Sequence, residues 1–435
     1  MKKLLMMIAA AAVVACATFP MSANAGTYYK LGSDAAKYTS FSGTYTGGGS
    51  TIGWASSRDA TTTVTPTDMA NSDFVIVNGT SLRTSNKKGD YTFPGRTLVI
   101  EDNGQFNVKA GESGGGDSTF AIPMIVGAGG QITLNAGAYT HTFTGGMSIN
   151  SSSSLILRFN GTSMNGIFNS TFTGDNTTTL CLDVAAANAL PTLELSDAAG
   201  FLGTIVDGGT GAANEKLVLK LTGGFGGTIT SLPAGTTKVL VNYDGLTAGK
   251  GLRIATTTIP AAILNTVTFY STKNVFMDGD VLMTFPAGTV VDPSAFTVNY
   301  AYGADETATA FSCLQKIDNQ DGTVSLAVKS KTYYKLGSDA AGKTSFSGTY
   351  NGSGTAIGWT DLRTGTVAVT PTDMANADFV VVSGKMLRTS TTKGNYTFPG
   401  RTLVFETGGT MNVKAGESGG GDSNCKFKQK FSVIV

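Results

Sequence analysis

Phe201-Leu202-Gly203-Thr204-Ile205 and Phe225-Gly226-Gly227-Thr228-Ile229 repeat one pattern, the second starting 24 residues after the first. An aromatic ring turned inward, a glycine at which the chain bends, and a threonine and an apolar residue opening a strand account for it mechanically. The pattern recurs at Phe41–Tyr45 and Phe346–Tyr350. Short runs of β-forming residues surround it: Phe74–Val77, Thr97–Ile100, Gln131–Leu134, Leu155–Leu157, Leu180–Leu182, Thr192–Leu195, Leu217–Leu219 and Lys238–Val241. Most of their centres lie roughly 22 to 25 residues apart, the spacing of coils in a β-solenoid. Some lie at about half that distance, so a β-sandwich-like array is the alternative. Gly and Asn clusters such as Asp102-Asn103-Gly104 and Gly127-Ala128-Gly129-Gly130 fall between the runs, where corners are needed. Only Val184–Leu190, before Pro191, reads as a helical turn, and Thr27–Pro66 reads as a Ser/Thr/Gly-rich head anchored by Trp54. The predicted class is therefore all-β, a parallel β-helix or β-solenoid.

A longer repeat sets the domain organisation. Residues Thr27–Ser118 align without a gap to Thr332–Ser423, at a constant offset of 305 and with about 66 of 92 positions identical. TYYKLGSDAA opens both copies and NVKAGESGGGDS closes both. The chain thus divides into a leader over 1–25, a complete unit over 26–331, a partial second copy over 332–423 and a divergent tail over 424–435. The tail, rich in Lys and Phe, leaves the template abruptly at Asn424, as a frameshift or a truncated reading frame would. A genuine end that caps the first unit is the other reading.

Composition narrows the function. Of 435 residues only 14% are charged, the net charge is +1, and there are 57 Gly, four Cys and one His. The 41% apolar fraction is enough for a core. Near-zero charge offers no footprint for nucleic acid, and a single histidine removes most metal and triad chemistry. Met1-Lys2-Lys3, the apolar run Leu4–Ala17 and Ala23-Asn24-Ala25 form an export signal cut before Gly26. Val13-Val14-Ala15-Cys16 competes as a lipobox, with lipidation at Cys16 and an envelope lipoprotein as the product. No other apolar run is long enough to span a membrane. Cys181 and Cys313 are candidates for a disulfide in an oxidising compartment or for buried apolar fillers.

The F-x-G-T repeats, the Gly/Thr/Asn-rich strands, and the segments Phe296–Tyr300 and Asp321–Leu326 resemble the autotransporter-type passenger repeats of bacterial surface proteins. That resemblance implies a parallel β-helix with adhesive or other extracellular functions. It covers about half of one unit and departs from the family in one respect: nothing over 331–435 supplies the membrane β-barrel.

Candidate chemistry is sparse. His141, in the alternating stretch Tyr139–Phe143, has no nucleophile elbow beside it and reads as a core or solvated histidine. Gly114-Gly115-Gly116 has no following helix with which to cradle phosphate. Polysaccharide-cleaving β-helices work with clustered carboxylates, so Asp278, Asp280, Asp292, Asp318 and Asp321 are candidates, although each sits where turns favour Asp. The duplicated loop Lys109–Asp117, with Lys109, Glu112 and Asp117 repeated as Lys414, Glu417 and Asp422, is the leading surface feature. Tyr28, Tyr29, Tyr333 and Tyr334 read either as an exposed binding surface or as staples for the head. The expectation is an exported surface or extracellular scaffold, adhesin-like, without catalytic activity or cofactor, whose partners are host or cell-surface glycans or proteins. A carbohydrate-active β-helix enzyme is the alternative, and a truncated, non-functional member of a repetitive gene family is another.

Overall fold

A computed structural model describes residues 26–433 apart from 36–37, 46–50, 112, 114, 136, 162, 185–189, 210–214, 272–275, 303–308, 312, 342, 349–356, 373, 375–376, 393, 416–423 and 428–430. The leader with Cys16 lies outside the described residues, as do Glu112, Glu417 and Asp422 and most of the expected helical turn. Val184 itself ends a strand, Thr179–Val184.

The fold is a parallel β-solenoid of about 12 turns, with 44% strand and 4% helix. The early turns place strands on three faces, and from Thr192 onward each turn places them on two. The first face runs from Thr27–Leu31 through Asp73–Ile76, Thr97–Ile100 and Met124–Val126 to Met147–Ile149. The second runs from Ser81–Arg83 through Gln105–Val108, Gly130–Leu134, Ser154–Phe159 and Thr179–Val184 to Val281–Phe285. On the third, Gly89–Thr92, Ser118–Ala121 and Thr140–Phe143 follow one another. The ten-residue strand Asn165–Gly174 turns the corner, pairing Thr140–Phe143 at one end and Met147–Ile149 at the other, with a register shift between Phe168 and Thr171.

Register confirms the spacing read from the sequence. Phe74 faces Leu98, Leu98 faces Met124, Met147 faces Met124 and Met147 faces Phe172, steps of 23 to 26 residues. Alternation does the rest: in Ser154–Phe159 and Thr179–Val184 every second side chain points inward and is buried. Fully burying one such Leu or Phe stabilises the fold by roughly 1.5–3 kcal/mol. Aromatic rings line up along the axis, Phe120 on Phe143 at 5.1 Å and Phe143 on Phe168 at 4.7 Å, both stacked.

The F-x-G-T pattern is realised in two ways. Phe201 and Phe225 are buried with ring centroids 6.1 Å apart in successive coils. There Gly227 is required by close approach, because a Cβ would stand 2.6 Å from the carbonyl of Gly203. In the head, Gly43 and its duplicate Gly348 instead take φ of 85° and 81°, the left-handed region that favours glycine.

Both ends of the first unit's ladder are closed by antiparallel strands. Gly53–Ala55 runs against Thr27–Leu31 at the start. At the far end Thr309–Phe311 runs against Val298–Tyr302, and Val324–Val328 runs against Val281–Phe285. Two residues, Lys329 and Ser330, then lead into Lys331–Lys335, which begins a separate five-stranded sheet. The second copy therefore starts a new solenoid. Its tail joins that ladder: Asn424–Phe427 pairs in parallel with Asn395–Phe398, with the register that Thr119 keeps with Asp90. Phe431 faces Leu403, two residues beyond the place the offset of 305 predicts from the pairing of Leu98 with Met124, and an even shift preserves the alternation of faces.

Candidate functional site

The duplicated loop is held down along its length. The Lys109 N–H donates to Thr84 Oγ1 at 2.8 Å, the Ser113 N–H donates to the Asn86 carbonyl at 3.0 Å, and Ala110 is buried. A Cβ on Gly115 would overlap the Tyr139 ring and one on Gly116 would overlap Lys88. Asp117 accepts from the Thr140 N–H at 2.8 Å, ordering the start of the next coil's strand. In the second copy the Lys414 N–H likewise donates to Thr389 Oγ1 at 2.8 Å. The loop is thus a corner that joins coils, and Asp117 works there as structure.

The tyrosines divide by strand alternation. Tyr28 is buried, packs at a tilt against Phe74 with centroids 5.3 Å apart, and its hydroxyl accepts from the Thr67 N–H at 2.8 Å. Tyr333 repeats this with Phe379 and the Thr372 N–H. These two are staples, which corrects the reading of them as exposed. Tyr29 points outward, beneath the Arg58 guanidinium at 5.1 Å, and Arg58 is ion-paired with Glu101.

Reading by residue type missed the feature between them. Lys30 faces inward and is buried with Asp34, Nζ to Oδ1 3.0 Å. Asp34 also accepts from Ser40 Oγ at 2.6 Å, from the Ser40 N–H at 3.0 Å and from the Arg83 N–H at 2.9 Å. Lys335 and Asp339 duplicate the arrangement. Burial lowers the Lys30 ammonium from its ordinary range, with Asp34 opposing the shift. The available signal was a Lys and an Asp four residues apart, preserved in both copies of an otherwise uncharged segment.

Most other candidates sit in turns, and Asp318 ends the strand Leu314–Asp318. Asp292 accepts from the Ser294 N–H at 2.9 Å, Asp321 from the Thr323 N–H at 3.1 Å, Asp280 from the Met277 N–H at 2.7 Å, and Asp278 from the Ser330 N–H at 2.9 Å. Asp318 pairs with Lys316 at 2.8 Å. His141 is fully buried beside Phe120, and burial holds it down to about 4, with Asp117 pulling the other way. No disulfide joins Cys181 and Cys313. Cys181 sits in Thr179–Val184 and Cys313 precedes Leu314–Asp318, whose partner strand lies five ladder steps from Thr179–Val184. At about 4.8 Å per step they are separated well beyond the roughly 7 Å limit for a disulfide.

One ion pair has further carboxylates acting on it. On the outside of the second face Arg158 lies 3.4 Å from Asp183. Burial raises the Asp183 carboxyl, Arg158 opposes the rise, and Glu215 and Asp207 add to it. Asp207 Oδ1 accepts from the Gly209 N–H at 3.0 Å. Among the described residues no group of three or more His, Cys, Asp or Glu could hold a metal ion.

Elsewhere the outer surface carries Ser, Thr and Asn side chains that bond from coil to coil. Asn160 donates to Asn135 at 3.0 Å, Asn165 to Thr140 Oγ1 at 3.2 Å, and the hydroxyls of Thr204 and Thr228 are 3.2 Å apart. Comparison with protein-family models, with curated proteins and with solved structures gives no match. Among the described residues no helix is long and apolar enough to cross a membrane.

Proposed function

We propose that this chain is an exported bacterial surface or extracellular protein that acts as an adhesin-like or structural display scaffold, without catalytic activity. The observation that carries the reading is the tandem of two solenoids that start with the same head, the first closed at both ends, with outer faces on which Thr and Asn side chains bond in pairs from coil to coil. A rigid rod with repeating polar faces suits the display of weak contacts many times over, each reinforcing the next. Host or cell-surface glycans or proteins are the partners such faces would meet. The export signal read over 1–25 supports placement outside the cytoplasm.

The test is fractionation of native cells with mass spectrometry of the mature termini. A Gly26 amino terminus at the surface or in the medium is expected, a lipidated Cys16 would make it an envelope lipoprotein, and an intact Met1 in the cytoplasm would overturn the reading. The ion pair of Asp183 with Arg158, whose carboxyl also feels Glu215 and Asp207, favours the second reading, a carbohydrate-active β-helix. Polysaccharide cleavage that Asp183→Asn abolishes would establish it.

A further inference from the structure

The duplication provides an internal comparison of one surface in two settings. In the first copy Asp73 and Arg96 form an ion pair at the start of the first face, with side chains 18% and 28% exposed. Their duplicates Asp378 and Arg401 form the same pair at 0% and 4% exposure. The neighbours follow: Thr97 and Val99 are half-buried, whereas Thr402 and Val404 are buried. Bonding changes with burial. Asp73 is held by Arg96 Nε at 3.0 Å and a second guanidinium nitrogen at 2.5 Å. Asp378 keeps Arg401 at 2.5 Å, takes a hydrogen bond from Thr402 Oγ1 at 2.6 Å, and adds one from Ser330 Oγ.

The covering group comes from the end of the first unit. Ser330 is tied back to Asp278 through its N–H at 2.9 Å, and Asp280 on the same turn is close enough for Arg401 and Asp378 to act on its carboxyl. An acidic turn and a serine hydroxyl thus meet an arginine and an aspartate.

We infer that the Asp73, Arg96, Thr97 and Val99 surface is a docking face for the carboxyl-terminal end of another unit, supplied by a second molecule of this chain. The same end that covers Asp378 and Arg401 fits it, with Asp278 and Asp280 facing Arg96 and the Ser330 hydroxyl facing Asp73. Docking between molecules exchanges one contact for its duplicate, because each molecule's own second copy occupies its donor end; such exchange is a low-cost route to head-to-tail association. This inference stands on the difference in burial between the two copies and not on the location or role proposed above.

The test mixes two full-length chains, one carrying Thr97→Cys and the other Ser330→Cys, under mild oxidation, and identifies linked peptides by mass spectrometry. A bond between positions 97 and 330 of different molecules is expected. Arg401→Glu in the Ser330→Cys chain loosens that chain's own junction and should raise the yield at least tenfold. Arg96→Glu in the acceptor chain should remove most of it. A 97–330 yield no higher than that from a Ser154→Cys acceptor, or one indifferent to Arg96→Glu, would overturn the inference. An Arg401→Glu chain whose second copy fails to fold still frees Ser330, so the comparison keeps its meaning.

Discussion

The Lys30 ammonium lies 3.0 Å from a carboxylate oxygen of Asp34, both side chains wholly shielded from solvent, and Lys335 and Asp339 repeat the contact at the same distance. The pair closes the head of each copy by tying Thr27–Leu31 to Ser40 and Arg83 through Asp34. Removing one partner strands the other charge in a dry site. Asp34→Ala is therefore expected to destabilise the first head by roughly 3–5 kcal/mol, whereas Lys30→Met with Asp34→Asn, which removes both charges but keeps an oxygen for the Ser40 and Arg83 N–H groups, should be milder. Chemical denaturation of the variants decides it, and a single-variant loss under about 1 kcal/mol would contradict a dry, closed pair.

His141 makes stability depend on pH. Its folded value near 4 lies below the ordinary 6.5, so the unfolded chain takes up a proton through that window while the folded chain does not. Stability is complete above about 6.5 and falls as pH drops towards 4, by up to roughly 3 kcal/mol. Urea midpoints at pH 7 and pH 4.5 should show this loss in the parent chain and a smaller one in His141→Leu. Equal losses in both would place the acid sensitivity elsewhere.

Close approach at the second corner predicts an unusual ranking. Gly227→Ala drives a methyl group towards the Gly203 carbonyl and the Phe225 and Phe201 rings, and is expected to cost about 1–3 kcal/mol despite adding one carbon. Phe201→Ala empties a fully buried site and should cost roughly 3–5 kcal/mol. Thermal unfolding of the two variants measures both; a neutral Gly227→Ala would mean that the coils can separate there at little cost.

Cys181 should react slowly with alkylating reagents. Burial raises its thiol above the ordinary value, so less thiolate is present at neutral pH than at an exposed cysteine. Iodoacetamide labelling followed by peptide mass spectrometry should show modification at Cys181 rising several-fold on denaturation. Rapid native labelling would show that the outer surface of Thr179–Val184 is more open than its neighbours make it.

The solenoid was legible because its signal is periodic: apolar residues alternate within strands and strands recur near the length of one coil. The F-x-G-T pattern carried the corner as well as the inward ring. Features that depend on which way one residue faces were not legible. Tyr28, Tyr29 and Lys30 are consecutive polar or amphipathic residues, and only their register against Phe74 and Val75 sends Tyr28 and Lys30 inward and Tyr29 outward. The antiparallel closure at 309–328 was equally hidden, since strand direction leaves no mark on composition. The loop at Lys109–Asp117 looked displayed because it is glycine-rich and polar. Gly115 and Gly116 also let Tyr139 and Lys88 pack against it, while Ser113 and Asp117 stay exposed.

The two-residue passage from Val324–Val328 to Lys331–Lys335 has a mechanical consequence. Backbone pairing is continuous along each solenoid but resets there, so tension applied along the chain has no shared ladder through which to unzip both bodies together. Under pulling, the longer and shorter rods should yield as two separate rupture events, leaving the first able to stay intact after the second has come apart.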